Sequence, residues 1–268
     1  MTPASLRRMT TVAALCLTAT SMQAQTVDHS AFDRLLKAHV VSGLVDYDAF
    51  NSDPAFAGYL KLLAATNPAS LSRNEQLALW INAYNAYTIQ LINNKGERES
   101  IRNVNKSLGF LKFKGPWSEA FAVVGGKTYS LDDIEQRTIR PTFKEPRIHF
   151  ALVCAAIGCP PLRSEAYTGA RVAAQLNEQT MKFLTQTPSK NRVDVANRTV
   201  YHSQVFTFSN YLDDFGGSKA AMGRFIARYY PAGPEKTLLE SGEFAAVKTD
   251  YDWSLNSQSN GRRLGLLR

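Results

Sequence analysis

Between Glu75 and Lys95 the chain carries no charged side chain, yet the segment keeps a helical period. Leu77, Trp80, Ile81, Tyr84, Thr88 and Leu91 mark one face, and Ala78, Asn85, Ile89 and Ile92 mark a flank. Leu79, Ala83 and Ala86 cover most of the rest. A helix that is apolar nearly all round is stable in water only when neighbours cover every side, so this segment predicts a domain built around it. Ser72 and Glu75 give it a capping-box start. Asn82 and Asn85 lie about 60° apart on it, because three residues advance a helix by roughly 300°. Two amides therefore leave a buried element in much the same direction, and buried amides need partners.

The rest of the chain supplies the cover. Ser30 to Val41 carries Phe32, Leu35, Leu36 and Val40 at helical spacing, and Pro54 opens a second helix that runs to Ala65. Leu44 to Tyr47 suggests a short strand. Phe121 to Leu131, broken by Gly125-Gly126, has the pattern of a β-hairpin. Ser130 is placed to cap a short helix over Asp132 to Ile139 that stops at Pro141. Arg147 to Val153 alternates like a strand, with Ile148, Phe150 and Leu152 on one face and Arg147, His149 and Ala151 on the other. A helix from about Ala170 to Gln186, a hairpin over Val193 to Tyr201 and a helix from Ser218 to Tyr229 follow. No repeat or linker divides the sequence. The expectation is one α+β domain over residues 25–256, with helices packed on a small, mostly antiparallel sheet around a central buried helix and a cleft above Asn82 and Asn85. Residues 257–268 carry few signals and are expected to form a loosely ordered tail.

Arg7 and Arg8 precede an apolar run from Met9 to Thr20 that ends in small and polar residues up to Ala24. That is the layout of a cleavable signal peptide over residues 1–24, and the run is too short for a membrane-spanning helix, which needs about 20 apolar residues. A periplasmic or secreted location follows as the expectation, with no membrane span after cleavage. The formal net charge is +8, but the Lys and Arg residues are scattered. The one basic segment with an aromatic residue, Lys106 to Lys114, is short and suits a solvated loop, so no nucleic-acid partner is expected. Cys154 and Cys159 remain in the mature chain, and an even pair in an oxidising compartment suggests a disulfide by default.

Several blocks of sequence are similar to one known family. Trp80-Ile81-Asn82-Ala83-Tyr84-Asn85, Leu131-Asp132-Asp133-Ile134-Glu135 and Arg147 to Cys154 carry the likeness. So do Cys159-Pro160-Pro161, Ser203-Gln204-Val205-Phe206 and Tyr251-Asp252-Trp253-Ser254-Leu255-Asn256. In these blocks and their order the chain resembles the domain of unknown function 547 family, found in exported bacterial proteins and some plant proteins. The resemblance implies no activity, because the family has none assigned. One departure is that the family pattern places a His directly after Asp-Ile-Glu, where this chain has Gln136.

Two classes of function follow from the residues. In the first, Cys159 is a nucleophile with His149 as its base, Glu135 or Asn82 orients the imidazole, and an Asn amide with a backbone N–H stabilises an oxyanion. Such a site would serve a Cys/His-dependent hydrolase or acyl transferase acting on an amide or thioester. In the second, the domain binds a small-molecule or peptide-like, carboxylated ligand without chemistry, using Asn85, Arg147, Tyr84 and Trp253, with Arg147 as the carboxylate clamp. The bland alternative is a core histidine, a loop-clipping disulfide and amides that satisfy loop backbone. The two classes separate on one point, since the enzyme requires Cys159 to be a free thiol near His149. No cofactor is implied. His149, His202, Glu135 and a thiolate are zinc-type groups, but they lack the short paired spacings of a metal site.

Overall fold

The uncharged segment forms a single helix, Arg73–Lys95, in a computed structural model that describes residues 25–104 and 115–267. The expected leader over residues 1–24 and the basic segment Lys106 to Lys114 lie outside the described residues. The Ser72 hydroxyl accepts from the Glu75 N–H at 3.4 Å, and Gly96 closes the helix in the left-handed region at φ 62°. Every residue from Leu77 to Ile89 is buried, so the helix is enclosed on all sides as its composition requires. Each large apolar side chain enclosed in this way contributes roughly 1.5–3 kcal/mol.

Helices supply most of the cover. Ser30–His39 packs on Pro54–Ala65, with Phe32 stacked on Tyr59 at 4.7 Å between ring centres. Pro54 stands at the helix start, and the Asp53 carboxylate accepts from the Ala55 N–H. Across the central helix lies Val172–Thr185, whose Phe183 meets Phe150, and Phe150 also touches Phe206, Phe215 and Phe225.

The domain is α+β with mostly antiparallel pairing, but its strands are divided among three small sheets. Val40–Val41 pairs with Leu44–Val45, and Ala122–Val124 with Lys127–Tyr129 through Gly125-Gly126, both at positive φ. Arg192–Asp194 pairs antiparallel with Thr199–His202, and Ala245–Lys248 joins the latter in parallel. No single sheet spans the domain among the described residues, which leaves the helices to pack on one another.

The expected strand over Arg147 to Val153 is instead a 3-10 helix, Pro146–Phe150, followed by a turn. Pro146 starts it, and the Glu145 carboxylate accepts from the Arg147 N–H as its cap. Ile148, His149 and Phe150 are buried in succession, so the two-face alternation inferred from sequence is absent. The expected helix after Ser130 exists, but it does not stop at Pro141. Asp133–Ile139 is wound as a π-helix that continues into Arg140–Phe143. Proline has no N–H and its ring crowds the preceding turn, and a widened turn accommodates both. Such π segments occur often at functional positions.

The C-terminal segment is ordered rather than loose. Ser257 caps Gln258–Arg263, and the buried Asn260 amide donates to the Leu255 and Glu99 carbonyls. Just before it, residues 251–257 run as a strap across the domain. Ile157 N–H donates to Ser254 O, Leu255 N–H to Glu99 O, Asn256 N–H to Ala155 O, and Val45 N–H to Asn256 O. This strap carries Tyr251 and Trp253 to the cleft described next.

Candidate functional site

Distant stretches of chain meet around a cavity of about 290 Å³. The central helix presents Tyr84, the π segment and the residue before it present Glu135 and Asp132, and the turn after the 3-10 helix presents Cys154. The strap contributes Tyr251 and Trp253. Trp117, Phe208 and Tyr211 complete an aromatic lining, and Ile101 and Arg102 stand at the same cavity. Tyr251 and Trp253 lie 4.5 Å apart, Phe208 meets Tyr251 edge-on at 5.0 Å, and the Arg102 guanidinium lies 4.8 Å over Trp253. Rings packed against one another in this way form a rigid wall that gives contact area with little ordering on binding.

The polar end of the cavity is a connected cluster. The Tyr211 hydroxyl donates to Glu135 at 2.5 Å and accepts from the Gln136 amide at 3.0 Å, while Arg140 donates to the Gln136 carbonyl oxygen. Behind Glu135, His149 stacks on Tyr211 at 4.1 Å, and its Nε2 lies 2.6 Å from Asp214. Its Nδ1 is buried without a hydrogen-bond partner among the described residues and faces Glu135 Oε1 at 3.9 Å. Arg140 also donates to Asp214 at 2.7 Å. Burial works against the charge on Asp214, but the hydrogen bonds from His149 and Arg140 outweigh it and hold this carboxyl at about 2. Asp214 is thus an anion, and His149 Nε2 carries a proton toward it.

Glu135 is pushed the other way. Burial raises it above the usual carboxylate range, offset only in part by His149 and by the Tyr211 and Tyr84 hydroxyls. A carboxyl of this kind holds its proton to higher pH and can both donate and accept at the cavity wall. Opposite in character, the Trp117 indole N–H is buried and, among the described residues, has no well-aligned acceptor, only the Tyr84 hydroxyl as a looser partner. An indole nitrogen can only donate, so this residue of the cavity wall keeps a donor that its own surroundings satisfy poorly. Asp132 at the same wall accepts from the Ser118 hydroxyl at 2.6 Å.

Of the residues singled out in the sequence, Glu135, Tyr84 and Trp253 line the cavity and His149 stands directly behind it. The others serve elsewhere. Cys159 is bonded to Cys154, so it has no thiolate to offer His149, and the expected nucleophile–base pair is not assembled. Asn82 donates to Tyr167 O at 2.7 Å and accepts from Tyr167 N–H at 2.9 Å. Asn85 does the same for another stretch, donating to Ala151 O and accepting from Val153 N–H, both at 3.0 Å. With both ends of each amide occupied by backbone, neither is free for an imidazole, an oxyanion or a ligand. Arg147 is held in a two-pronged pair by the Glu145 carboxylate at 2.7 and 2.8 Å and donates to Ala173 O, which ends its role as a carboxylate clamp. His202 bonds its neighbour's carbonyl at Ser203, and among the described residues no three His, Cys, Asp or Glu side chains are gathered as a metal site would need.

Sequence reasoning missed Tyr211, Asp214, Trp117, Arg102 and Tyr251. Nothing in the spacing ties Asp214 to His149, 65 positions away. Tyr251 was within reach, since it begins one of the blocks that carry the family likeness. A family model described as "Protein of unknown function, DUF547" matches residues 68–184. This supports the family likeness over the span that holds the central helix, Glu135, His149 and both cysteines. No curated protein and no solved structure matches the chain. Phe208, Tyr211, Tyr251 and Trp253, which complete the cleft, and Asp214 behind it lie beyond the matched span.

Proposed function

We propose that the protein is a ligand-binding module whose aromatic cleft takes a small peptide-like ligand. The observation that carries this reading is the buried Trp117 N–H, which has no well-aligned acceptor among the described residues, in a residue of the cavity wall with a protonatable carboxyl, Glu135, at the same cavity. An amide group supplies what these residues lack, a carbonyl for Trp117 and Arg102 and an N–H for Asp132 or Glu135. Arg102, rather than Arg147, is the cation available to a carboxylate end. The N-terminal pattern and the oxidised cysteine pair support work outside the cytoplasm, in the periplasm or as a secreted protein.

Calorimetric titration with a panel of N-acetyl dipeptide amides tests the reading. Removing the donor alone, by Trp117→Phe, is expected to weaken binding roughly fivefold. Removing a wall, by Trp253→Ala, is expected to weaken it roughly tenfold. Absence of binding across the panel, or affinity indifferent to both changes, would discard the proposal. One observation favours a second reading, amide hydrolysis with Glu135 as the proton donor. The open His149 Nδ1 faces Glu135, and Asp214 backs the same ring, which is an arrangement able to move a proton to the cavity wall. Under that reading the same amides are cleaved, and Glu135→Gln stops cleavage while leaving the binding affinity within a few-fold.

A further inference from the structure

We propose that the cleft also carries out thiol–disulfide exchange at Cys154, with a peptide-like thiol as its substrate. The inference rests on the cleft being the ligand site proposed above. Cys154 is half-buried and lines the cavity, whereas Cys159 is 3% exposed and is not part of that lining. A thiolate arriving in the cleft therefore meets one sulfur of the pair. The other sulfur is prepared to leave. Cys159 Sγ accepts from the Cys154 backbone N–H at 3.2 Å, and the Tyr251 hydroxyl lies 3.0 Å from it and 3.1 Å from Cys154 Sγ. Burial keeps the Tyr251 phenol protonated well beyond neutral pH, so its hydrogen is available to whichever sulfur gains charge. Two donors on a departing sulfur stabilise its thiolate, and exchange is faster when the leaving thiolate is more stable.

The step balances without a further reagent. The ligand thiol gives its proton to solvent, and its thiolate attacks Cys154 Sγ. The bond between the ligand sulfur and Cys154 forms as the Cys154–Cys159 bond breaks, and the electron pair stays on Cys159. A second ligand thiolate then attacks the ligand sulfur of the mixed disulfide, which releases a ligand disulfide and leaves both cysteines reduced. Two ligand thiols are oxidised and one protein disulfide is reduced.

The loop that carries the pair is held by contacts other than the disulfide. Ile157 and Gly158 donate to the strap at Ser254 O and Asp252 O, Ala155 O accepts from it, and Lys190 donates to the Ile157 and Cys159 carbonyls. Gly158 lies against the Tyr251 ring, where a Cβ would meet ring carbons at 2.8 Å. Asn85 fixes the approach from the other side through Val153. Opening the disulfide therefore leaves the two sulfurs in place to close again, as a working exchange pair requires.

The test uses the full folded chain with its disulfide closed and reduced glutathione as the probe, followed by acid quench and peptide mapping by mass. The expected result is a mixed disulfide on Cys154, formed faster than in the denatured chain. Tyr251→Phe is expected to slow its formation roughly tenfold. Because that change also alters packing, Cys159→Ala serves as the second variant, and with oxidised glutathione it should form a mixed disulfide on Cys154 that does not resolve. S-methylglutathione, which cannot exchange, should bind by calorimetry and compete with the reaction. Attachment to Cys159, which borders a separate cavity beside Lys190, would overturn the proposal, as would exchange no faster than in the denatured chain. If S-methylglutathione binds in the cleft and no exchange occurs, the exchange activity falls and the binding module stands. If Cys154 exchanges and S-methylglutathione neither binds nor competes, the peptide-binding reading falls instead.

Discussion

Two sets of buried polar groups lie close together in this domain, and they are treated in opposite ways. The amides of Asn82 and Asn85 each accept from one backbone N–H and donate to one backbone carbonyl, so each closes a small backbone-like bridge between the central helix and a loop. The groups around Glu135 are unevenly satisfied. Among the described residues His149 Nδ1 has no partner and Trp117 Nε1 no well-aligned one, and Glu135 holds its proton more tightly than a free carboxyl. A folded chain rarely leaves buried polar atoms open, because each one costs about 1–3 kcal/mol. Completed bridges are scaffold, whereas the poorly satisfied groups beside the aromatic cavity are the ground of the proposed ligand site.

The comparison breaks first if the amides prove dispensable. Asn85→Ala strands the Ala151 carbonyl and the Val153 N–H, and Asn82→Ala strands both backbone groups of Tyr167. Each is expected to lower stability by about 3 kcal/mol with no pH dependence, measured by denaturant unfolding. A loss below about 1 kcal/mol would say that the bridges are ornamental.

A pH series sharpens it next. His29 is buried beside Tyr59, 2.8 Å from its hydroxyl, and burial lowers it from 6.5 to about 4. Its unfolded form binds more protons between those values, so stability should rise with pH across that window, by about 3 kcal/mol in all. Glu135 acts in the opposite sense. Its folded form holds the proton more tightly, so its contribution is present at low pH and is lost as pH rises from 4.5 toward the raised folded value. Comparing wild type with Glu135→Gln at each pH cancels the His29 effect. The variant should gain stability relative to wild type as pH rises, and a flat difference would mean that Glu135 is an ordinary carboxylate.

The smallest effect concerns Tyr211. Tyr211→Phe removes the donor that partly offsets burial at Glu135 and leaves the ring stacked on His149. It should lower stability by about 1 kcal/mol and raise Glu135 further, followed by carbon-detected titration of the carboxyl. A downward movement of Glu135 would reverse the assigned role of the hydroxyl.

The scaffold was more legible in the sequence than the cleft, for a physical reason. The central helix, the helix from Pro54 to Ala65 and the hairpin at Gly125-Gly126 announce themselves through local period, caps and turn chemistry. The 3-10 helix at His149 does not, because its apparent alternation is what a strand would show, and Pro146 at its start together with the distant Asn85 decides the matter. Glu135 was visible as a carboxylate within a family-like block. Its partner Tyr211, Asp214 behind His149, and Trp117 come from segments with no sequence relation to it, so only folding could gather them. The C-terminal helix was obscured for a similar reason, since polar contacts from Asn260, rather than an apolar stripe, hold it in place.

One nitrogen–proton correlation spectrum observes both sets of groups together, because the Trp117 indole N–H and the Asn82 and Asn85 side-chain amides all give signals in it. On titration with an N-acetyl dipeptide amide, the Trp117 signal should shift downfield as it gains an acceptor, while both asparagine amides stay where they are. A still indole signal, with changes gathered around the asparagines or beside Lys190, would contradict the assignment of the aromatic cleft as the binding site.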